Sequence, residues 1–246
     1  MAVWAYVALA AAQAPMPTVV QVFDGDTVAL NTGERVRLLD INTPEGPHHG
    51  APAEPLADAA RTHLAALVLD KPVRLELGKT RRDRYGRLLA HIYLQDGTWL
   101  NGRMVEDGLA VAYTFADNHL YARRVLLLEQ QAREAKRGLW ALPRWRVKDA
   151  ETCCAPDEMG LFQVVEGTVT GSGGDKNFIY LNFGPDYRTD FTIRIARKDL
   201  KHFKEWGIKK PDDFYKGKSV RVHGVVQPVY GAMVVVSHPA QVEVVE

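Results

Sequence analysis

The 246-residue sequence has few of the features that mark unusual classes of protein. It has only two cysteines, the neighbours Cys153 and Cys154, so a disulfide-dense miniprotein is excluded. A bridge between neighbours is strained because their Cα atoms lie closer together than most disulfides require, and we expect none. Charge of one sign is not in excess, with 31 Lys and Arg against 30 Asp and Glu. The overall charge therefore gives no evidence for a nucleic-acid partner, and such evidence must come from local groups of basic residues.

The first fourteen residues carry no charge and consist mainly of alanine and other apolar residues. Such a stretch is typical of an export signal and is too short to cross a bilayer comfortably. We expect residues 1–14 to be a signal peptide, the protein to be periplasmic or secreted, and no stable membrane span. A buried N-terminal helix or strand is the alternative, because no basic residues precede the apolar run.

The rest of the chain divides into two units of mainly β character with helices, an α+β pattern. Residues 18–141 alternate between short strands and helices, with strands predicted over 18–23, 27–30, 35–41, 73–77 and 88–94, and helices over 53–68, 100–107 and 120–136. Residues 142–160 lose this periodicity and are predicted to be a linker. Residues 161–246 return to clean strand alternation with one helix over 198–206. This second unit favours a small closed barrel of the oligonucleotide/oligosaccharide-binding type.

Three polar segments lie at predicted strand ends in the first unit: Asp-Gly-Asp-Thr at 24–27, Arg-Leu-Leu-Asp-Ile-Asn-Thr-Pro-Glu at 37–45 and Asp-Arg-Tyr-Gly-Arg at 83–87. The first alone is typical of a hairpin turn in which glycine takes a positive φ. Together they offer oxygen ligands for a hard cation, arginines that match phosphate oxygens, and a loop carboxylate that can activate water. That combination favours hydrolysis of a phosphodiester.

The same segments, with Leu100-Asn101, Gly108-Leu109-Ala110 and Gly138-Leu139-Trp140, resemble the staphylococcal nuclease family over roughly residues 18–141. The resemblance implies a five-stranded barrel of the oligonucleotide-binding type with three helices. It also implies Ca²⁺-dependent endonucleolytic cleavage of DNA and RNA at the 5′-oxygen, which leaves 3′-phosphates.

The resemblance also implies roles for individual residues. Arg37 and Arg87 would bind the phosphate, and Glu45 would be the general base. Asp26, Asn42 and the Thr43 carbonyl would hold the metal, with Asp24 beside them. Tyr85 and Tyr113 would contact the nucleotide. Apart from the resemblance, the basic stretch between Lys71 and Arg87 could follow a phosphate backbone, and we expect Arg84 in it to bind substrate; a solvated surface loop is the alternative.

One departure from the family concerns the metal site, where Asn42 replaces an aspartate. An amide oxygen ligates Ca²⁺ without negative charge, so we expect affinity weaker by about tenfold. The extra acid Asp40 would share a face with Asn42 if the strand continued through both. Two hypotheses follow: an exported, monomeric nuclease acting on nucleic acid, or a nuclease-fold nucleic-acid-binding protein with weak or no turnover. The ligand of the second unit stays open.

Overall fold

The structure is a computed structural model that describes residues 15–47 and 52–245. The expected signal peptide over 1–14 lies outside the described residues. Within the described part of the chain, no helix is long and apolar enough to cross a membrane. The elements of the first unit are, in chain order, β1 (Val19–Val22), β2 (Thr27–Leu30), β3 (Arg35–Leu38), β4 (Ile41–Asn42), α1 (Ala57–Val68), β5 (Val73–Arg82), β6 (Leu88–Leu94), α2 (Leu100–Glu106), β7 (Val111–Ala112) and α3 (Ala122–Glu134).

The first sheet has five strands in the order β1-β2-β3-β6-β5. Neighbours are antiparallel except β3 and β6, which are parallel. The Val19 amide donates to the Lys71 carbonyl at 3.1 Å, and the Val73 amide donates to the Pro17 carbonyl at 2.8 Å. The start of β1 is therefore bonded to the start of β5, and the two edges of the sheet meet there.

Alternation along β3 decides which side chains enter the core of the first unit. Val36 and Leu38 are fully buried, whereas Arg37 between them emerges on the other face of the strand. The buried face of α1 packs on the same core through Ala60 and Leu64. Strand β5 runs five residues beyond its predicted end at Leu77, because this extension is mostly exposed and polar and has no apolar alternation to reveal it.

The elements of the second unit are β8 (Lys148–Asp149), β9 (Phe162–Thr168), β10 (Gly171–Gly174), β11 (Phe178–Asn182), β12 (Thr192–Ala196), α4 (Leu200–Glu205), α5 (Pro211–Tyr215), β13 (Ser219–Gln227), β14 (Met233–Val236) and β15 (Val242–Val244). Its sheet has eight strands, in the path β10-β11-β12-β14-β13-β9-β8, with β15 paired to β13 beside that path. Strand β12 is parallel to β14, as β3 is to β6. Because β9 and β10 follow each other directly in the chain, one continuous stretch pairs with both β13 and β11. When β9 and β10 are counted as one strand, the path β9/β10-β11-β12-β14-β13 has the same order as β1-β2-β3-β6-β5 in the first unit, and β8 and β15 are additions to it.

The stretch 142–160 contains ordered structure. It has short 3-10 turns at Pro143–Trp145 and Pro156–Glu158, and β8 pairs in parallel with β9 of the second unit. Cys153 and Cys154 are joined by a disulfide across a cis peptide bond. The expectation that neighbouring cysteines would not be bridged is therefore wrong.

A buried ionic contact joins the two units. The Nε2 atom of His223, on β13, lies 2.6 Å from Oε2 of Glu129, on α3. The other Glu129 oxygen accepts the Ala112 amide at 2.8 Å, and Glu243 Oε1 lies 3.6 Å from His223 Nε2. Burial alone lowers the pKa of His223, but the Glu129 carboxylate outweighs burial and holds this pKa above its ordinary value. Burial likewise raises the pKa of Glu129, but His223 and Arg133 bring it below its ordinary value.

We expect His223→Phe to lower the free energy of unfolding by about 3 kcal/mol, because a buried Glu129 carboxylate would lose its main partner. The His223 contribution is complete below pH 6.5 and is lost as pH rises through its raised pKa. The Glu129 contribution is complete above pH 4.5 and is lost as pH falls through its lowered pKa. The difference between wild type and variant, measured by urea unfolding, should therefore be largest between about pH 4.5 and 6.5.

The matched control is the Glu129→Gln, His223→Phe double variant, which has no buried carboxylate at this position. It should be destabilised by less than the sum of the two single substitutions. Additive losses would contradict a coupled ion pair.

Candidate active site

The turn before β2 places Asp24 and Asp26 close together. One Asp24 carboxylate oxygen accepts the Asp26 amide at 3.0 Å. Gly25 does not have the positive φ that the sequence pattern led us to expect. A Cβ at Gly25 would instead lie 2.7 Å from Thr43 Cγ2 and 2.8 Å from the Ala60 Cβ. Glycine is needed here so that the turn can approach the 43–45 segment and α1 closely.

The Asp26 carboxylate is buried and fully hydrogen-bonded. Its Oδ2 accepts the amide and the hydroxyl of Thr43, both at 3.1 Å. Its Oδ1 accepts the Thr27 hydroxyl at 3.1 Å and forms an ion pair with Arg37 Nε at 3.0 Å. Asp26 therefore links β2, β3 and the segment that leads to Glu45.

The Arg37 guanidinium is anchored on the same side. Beyond Asp26, it donates to the carbonyls of Leu38 and Ile41 and, at 2.9 Å, to the Asn42 amide oxygen. Four of its five N–H groups are thereby directed to the protein. The Asp26 and Asn42 oxygens thus face the same cationic group.

The second arginine is held by the turn between β5 and β6. The Asp83 carboxylate accepts the amides of Tyr85 and Arg87 at 2.9 and 3.0 Å, and it pairs with Arg87 Nε at 2.6 Å. Partial burial acts to raise the pKa of Asp83, but the bonds from Arg87 and Tyr85 bring it below its ordinary value. The Tyr85 ring is exposed and lies beneath both neighbouring guanidiniums, at 4.7 Å from Arg84 and 5.5 Å from Arg87.

One open cavity of about 770 Å³ collects nearly all the predicted site residues. Nine of the ten line it, namely Asp24, Asp26, Arg37, Asn42, Glu45, Arg84, Tyr85, Arg87 and Tyr113. Thr43, the tenth, is buried and supports the cavity through its two bonds to Asp26. The two arginines that the sequence separates by fifty positions therefore face a common space.

Of two acids near the cavity, Asp24 lines it and Asp40 is turned toward His91. Burial, and then the neighbouring Asp26 carboxylate, raise the pKa of Asp24 to about 6. Asp40 does not share the face of Asn42, because a left-handed φ of 63° at Asp40 interrupts the strand alternation. Its carboxylate is buried 3.6 Å from His91 Nε2. Burial raises the pKa of Asp40 to about 7 and lowers that of His91 to about 4, and both shifts disfavour an ion pair between them.

Sequence reasoning missed the residues that hold the arginines. Asp83 lies in the Asp-Arg-Tyr-Gly-Arg segment, and an aspartate that can accept the backbone amide two residues on is a known turn signal. Thr27 bonds both Asp26 and, at 3.4 Å, Arg87 Nη1. Arg82 also lines the cavity and pairs with Glu34 at 2.7 Å. No local pattern predicts this last contact, because its partners are 48 residues apart.

The donor set suits a hard divalent cation. Asp26 offers a carboxylate and Asn42 an amide oxygen, and both face one cationic group in the structure. Carboxylate, amide and carbonyl oxygens are the ligands that Ca²⁺ prefers. A cation bound there would compete with Arg37 for the same two oxygens, and the donors themselves fit it.

The first unit is similar in sequence to a known protein family and to several nucleases. Residues 35–142 match the family model described as staphylococcal nuclease homologue. The chain is 30% identical over 126 residues to a thermonuclease of Staphylococcus hyicus, covering 50% of this chain and 74% of that protein. It is 34% identical over 120 residues to a thermonuclease of Staphylococcus intermedius, covering 48% and 69%. Endonuclease YncB of Bacillus subtilis is 35% identical over 129 residues, covering 50% and 61%.

We expect Gly25→Ala to lower the free energy of unfolding by about 1–3 kcal/mol, because the added methyl group would force the turn away from Thr43 and α1. Thermal unfolding followed by circular dichroism measures this loss. Gly46→Ala is the control, since a Cβ there meets nothing within 4 Å. Equal stabilities of the two variants would contradict the close approach at Gly25.

Proposed function

Because the chain belongs to the staphylococcal nuclease family, we propose that it is a metal-dependent endonuclease that hydrolyses phosphodiester bonds of DNA, RNA or both. The observation that carries this proposal is the shared cavity, which brings Arg37, Arg87 and Glu45 around the oxygen donors Asp26 and Asn42. The names of the relatives, thermonuclease and endonuclease, support a nuclease.

The arginines would bind the scissile phosphate. Guanidinium forks match phosphate oxygens and stay charged at all physiological pH values, so they stabilise the negative charge that develops at phosphorus. Arg87 is oriented by Asp83 through its Nε, and its Nη1 donates to the Thr27 hydroxyl at 3.4 Å. Because its orientation is already set, less side-chain entropy is lost when the phosphate binds.

Glu45 would take a proton from the attacking water. It is exposed to the cavity and lies on the 43–47 segment beyond β4. Its backbone is tied to the segment that leads into α1, because the Glu45 amide donates to the Glu54 carboxylate at 3.0 Å and the Glu54 amide donates back to the Glu45 carbonyl at 2.9 Å. The resulting hydroxide would attack phosphorus opposite the 5′-oxygen. The bond to that oxygen would break, which leaves a 3′-phosphate, and the 5′-oxygen would take up a proton from water and leave as a hydroxyl group.

Asp26, Asn42 and the Thr43 carbonyl would hold Ca²⁺, with Asp24 close by. When bound, the ion would neutralise charge on the phosphate. Arg37 shares both Asp26 and Asn42 with this site, so it would have to exchange some of its present contacts for contacts to the phosphate.

The shared strand order supports the interpretation that both units are barrels of the oligonucleotide-binding type. Export and action as a monomer stay predictions from the sequence.

A second candidate function is binding of nucleic acid with weak or no turnover. The anchoring of Arg37 favours it, since four N–H groups directed to the protein leave little for a phosphate. The uncharged Asn42 favours it as well. Retention of Glu45 argues against it, because a carboxylate at a phosphate site repels the ligand unless it does chemistry.

We expect Glu45→Gln and Arg87→Ala each to lower kcat on single-stranded DNA about 10³-fold in the presence of Ca²⁺, because they remove the base and a phosphate contact. Arg81→Ala is the control, since Arg81 belongs to the same basic stretch but does not line the cavity. Cleavage that survives both substitutions, or that persists in a chelator, would defeat the assignment. Binding without cleavage in Ca²⁺, Mg²⁺ and Mn²⁺ would establish the second candidate.

We expect Asn42→Asp to bind Ca²⁺ about tenfold more tightly, because it adds negative charge at the proposed site. Isothermal titration with CaCl₂ measures this directly and does not depend on activity. Asn31→Asp adds the same charge on the far turn between β2 and β3 and should leave the affinity unchanged. Unchanged or weaker affinity in Asn42→Asp would argue against this position as a ligand.

A further inference from the structure

The second unit presents a group of uncovered aromatic rings. Tyr187 is 57% exposed and Tyr230 is 75% exposed, and their ring centres lie 6.0 Å apart in an edge-to-face arrangement. With Tyr180 they line a cavity of about 300 Å³ on the outer face of β11 and β12. Grouped exposed aromatics of this kind mark binding surfaces far more often than scattered ones.

The backbone holds one of these rings outward at a cost. Tyr230 has a φ of 61°, a left-handed conformation that is unfavourable for a bulky residue. The next residue, Gly231, is packed against the Thr189 carbonyl, where a Cβ would approach to 2.4 Å. The β13–β14 connection is therefore constrained in a conformation that keeps the Tyr230 ring exposed to solvent.

The floor of the cavity carries polar atoms without partners. Within the described residues, neither the Thr192 hydroxyl nor the Asn182 amide oxygen has a hydrogen-bond partner. Thr192 is only 3% exposed, and both residues line the cavity. Buried polar atoms are rarely left unbonded because each costs about 1–3 kcal/mol. A ligand with donor and acceptor groups along one edge would satisfy both.

The surface beside Tyr180 is open on one flank and cationic on the other. Tyr180 pairs across the sheet with Gly173 on β10 and with Arg194 on β12. A Cβ at Gly173 would meet nothing within 4 Å, so a flat group can lie against this flank. On the other side, the Arg194 guanidinium lies 4.9 Å from the centre of the Phe178 ring, and its Nε also has no partner among the described residues.

These features fit a nucleobase attached to an anionic backbone. A base stacks on aromatic rings and offers donors and acceptors at its edge, while its phosphate matches an arginine. A neutral sugar ring would leave Arg194 unmatched. Among the residues that the structure describes, Asp175 is the one acid lining the cavity, and its carboxylate accepts the amides of Asn177 and Phe178 at 2.7 and 2.9 Å. Bases within a duplex are stacked on each other and cannot reach such a face.

We propose that this face, formed by Tyr180, Tyr187, Tyr230 and Arg194 around Asn182 and Thr192, binds single-stranded nucleic acid. It is a second binding site, separate from the cavity of the first unit. The inference goes beyond the proposed function, because binding here requires no hydrolysis.

The test uses the full chain carrying Glu45→Gln, and all measurements are made in the presence of a chelator. The probe is a fluorescein-labelled 20-residue oligothymidylate. We expect Tyr187→Ala and Tyr230→Ala each to raise Kd about tenfold by fluorescence anisotropy, because each removes a stacking surface. Tyr187→Trp should retain tight binding. Thr192→Val, which keeps the volume but removes the hydroxyl, should raise Kd about fivefold. Phe214→Ala, at an exposed aromatic elsewhere in the unit, is the control and should not change Kd.

Kd values within twofold of the Phe214→Ala control in all three variants would overturn the proposal. So would displacement of the probe by a neutral N-acetylglucosamine hexamer, which would assign the face to glycans. In chains that keep Glu45, Tyr187→Ala and Tyr230→Ala should leave the rate of hydrolysis of thymidine nitrophenyl phosphate with Ca²⁺ unchanged. Failure of wild type to hydrolyse that ester or DNA would count against the nuclease proposal alone.

Discussion

The buried ion pair between Asp26 and Arg37 is the contact on which the arrangement of the site depends. Asp26 ties the start of β2 to β3 through Arg37 and to the segment before Glu45 through Thr43. Removing either partner would leave a charge with little access to water, which is far costlier than losing an exposed pair. The positions of Asn42 and Glu45 follow from these bonds, because both residues lie in the chain segment that Asp26 and Arg37 hold.

The candidate site holds its arginines with acids. Arg87 is set by Asp83 and Arg37 by Asp26, so each guanidinium is oriented before any phosphate arrives. Orientation of this kind lowers the entropy lost on binding, but the same acids compete with the substrate for the arginines. The balance differs between the two arginines, since Arg37 has more contacts with the protein than Arg87.

The two units share one strand order yet carry different surfaces. The first exposes arginines and carboxylates around an open cavity, and the second exposes tyrosines around a smaller one. The buried Glu129–His223 contact fastens them together. Under the two proposals, the second unit would bind a single strand while the first unit hydrolyses it. Different residues would carry the two functions.

The local patterns of the sequence determined the types of most elements and the membership of the candidate site, because strand alternation, helical spacing and turn residues act over a few positions. The predicted helix over 100–107, for example, is observed at Leu100–Glu106. Tertiary structure alone decided the close approach at Gly25, the turning of Asp40 toward His91, and the meeting of Glu129 with His223, 94 residues apart in the chain. Each of these depends on which distant segments pack together, and that information is not present in any short stretch of residues.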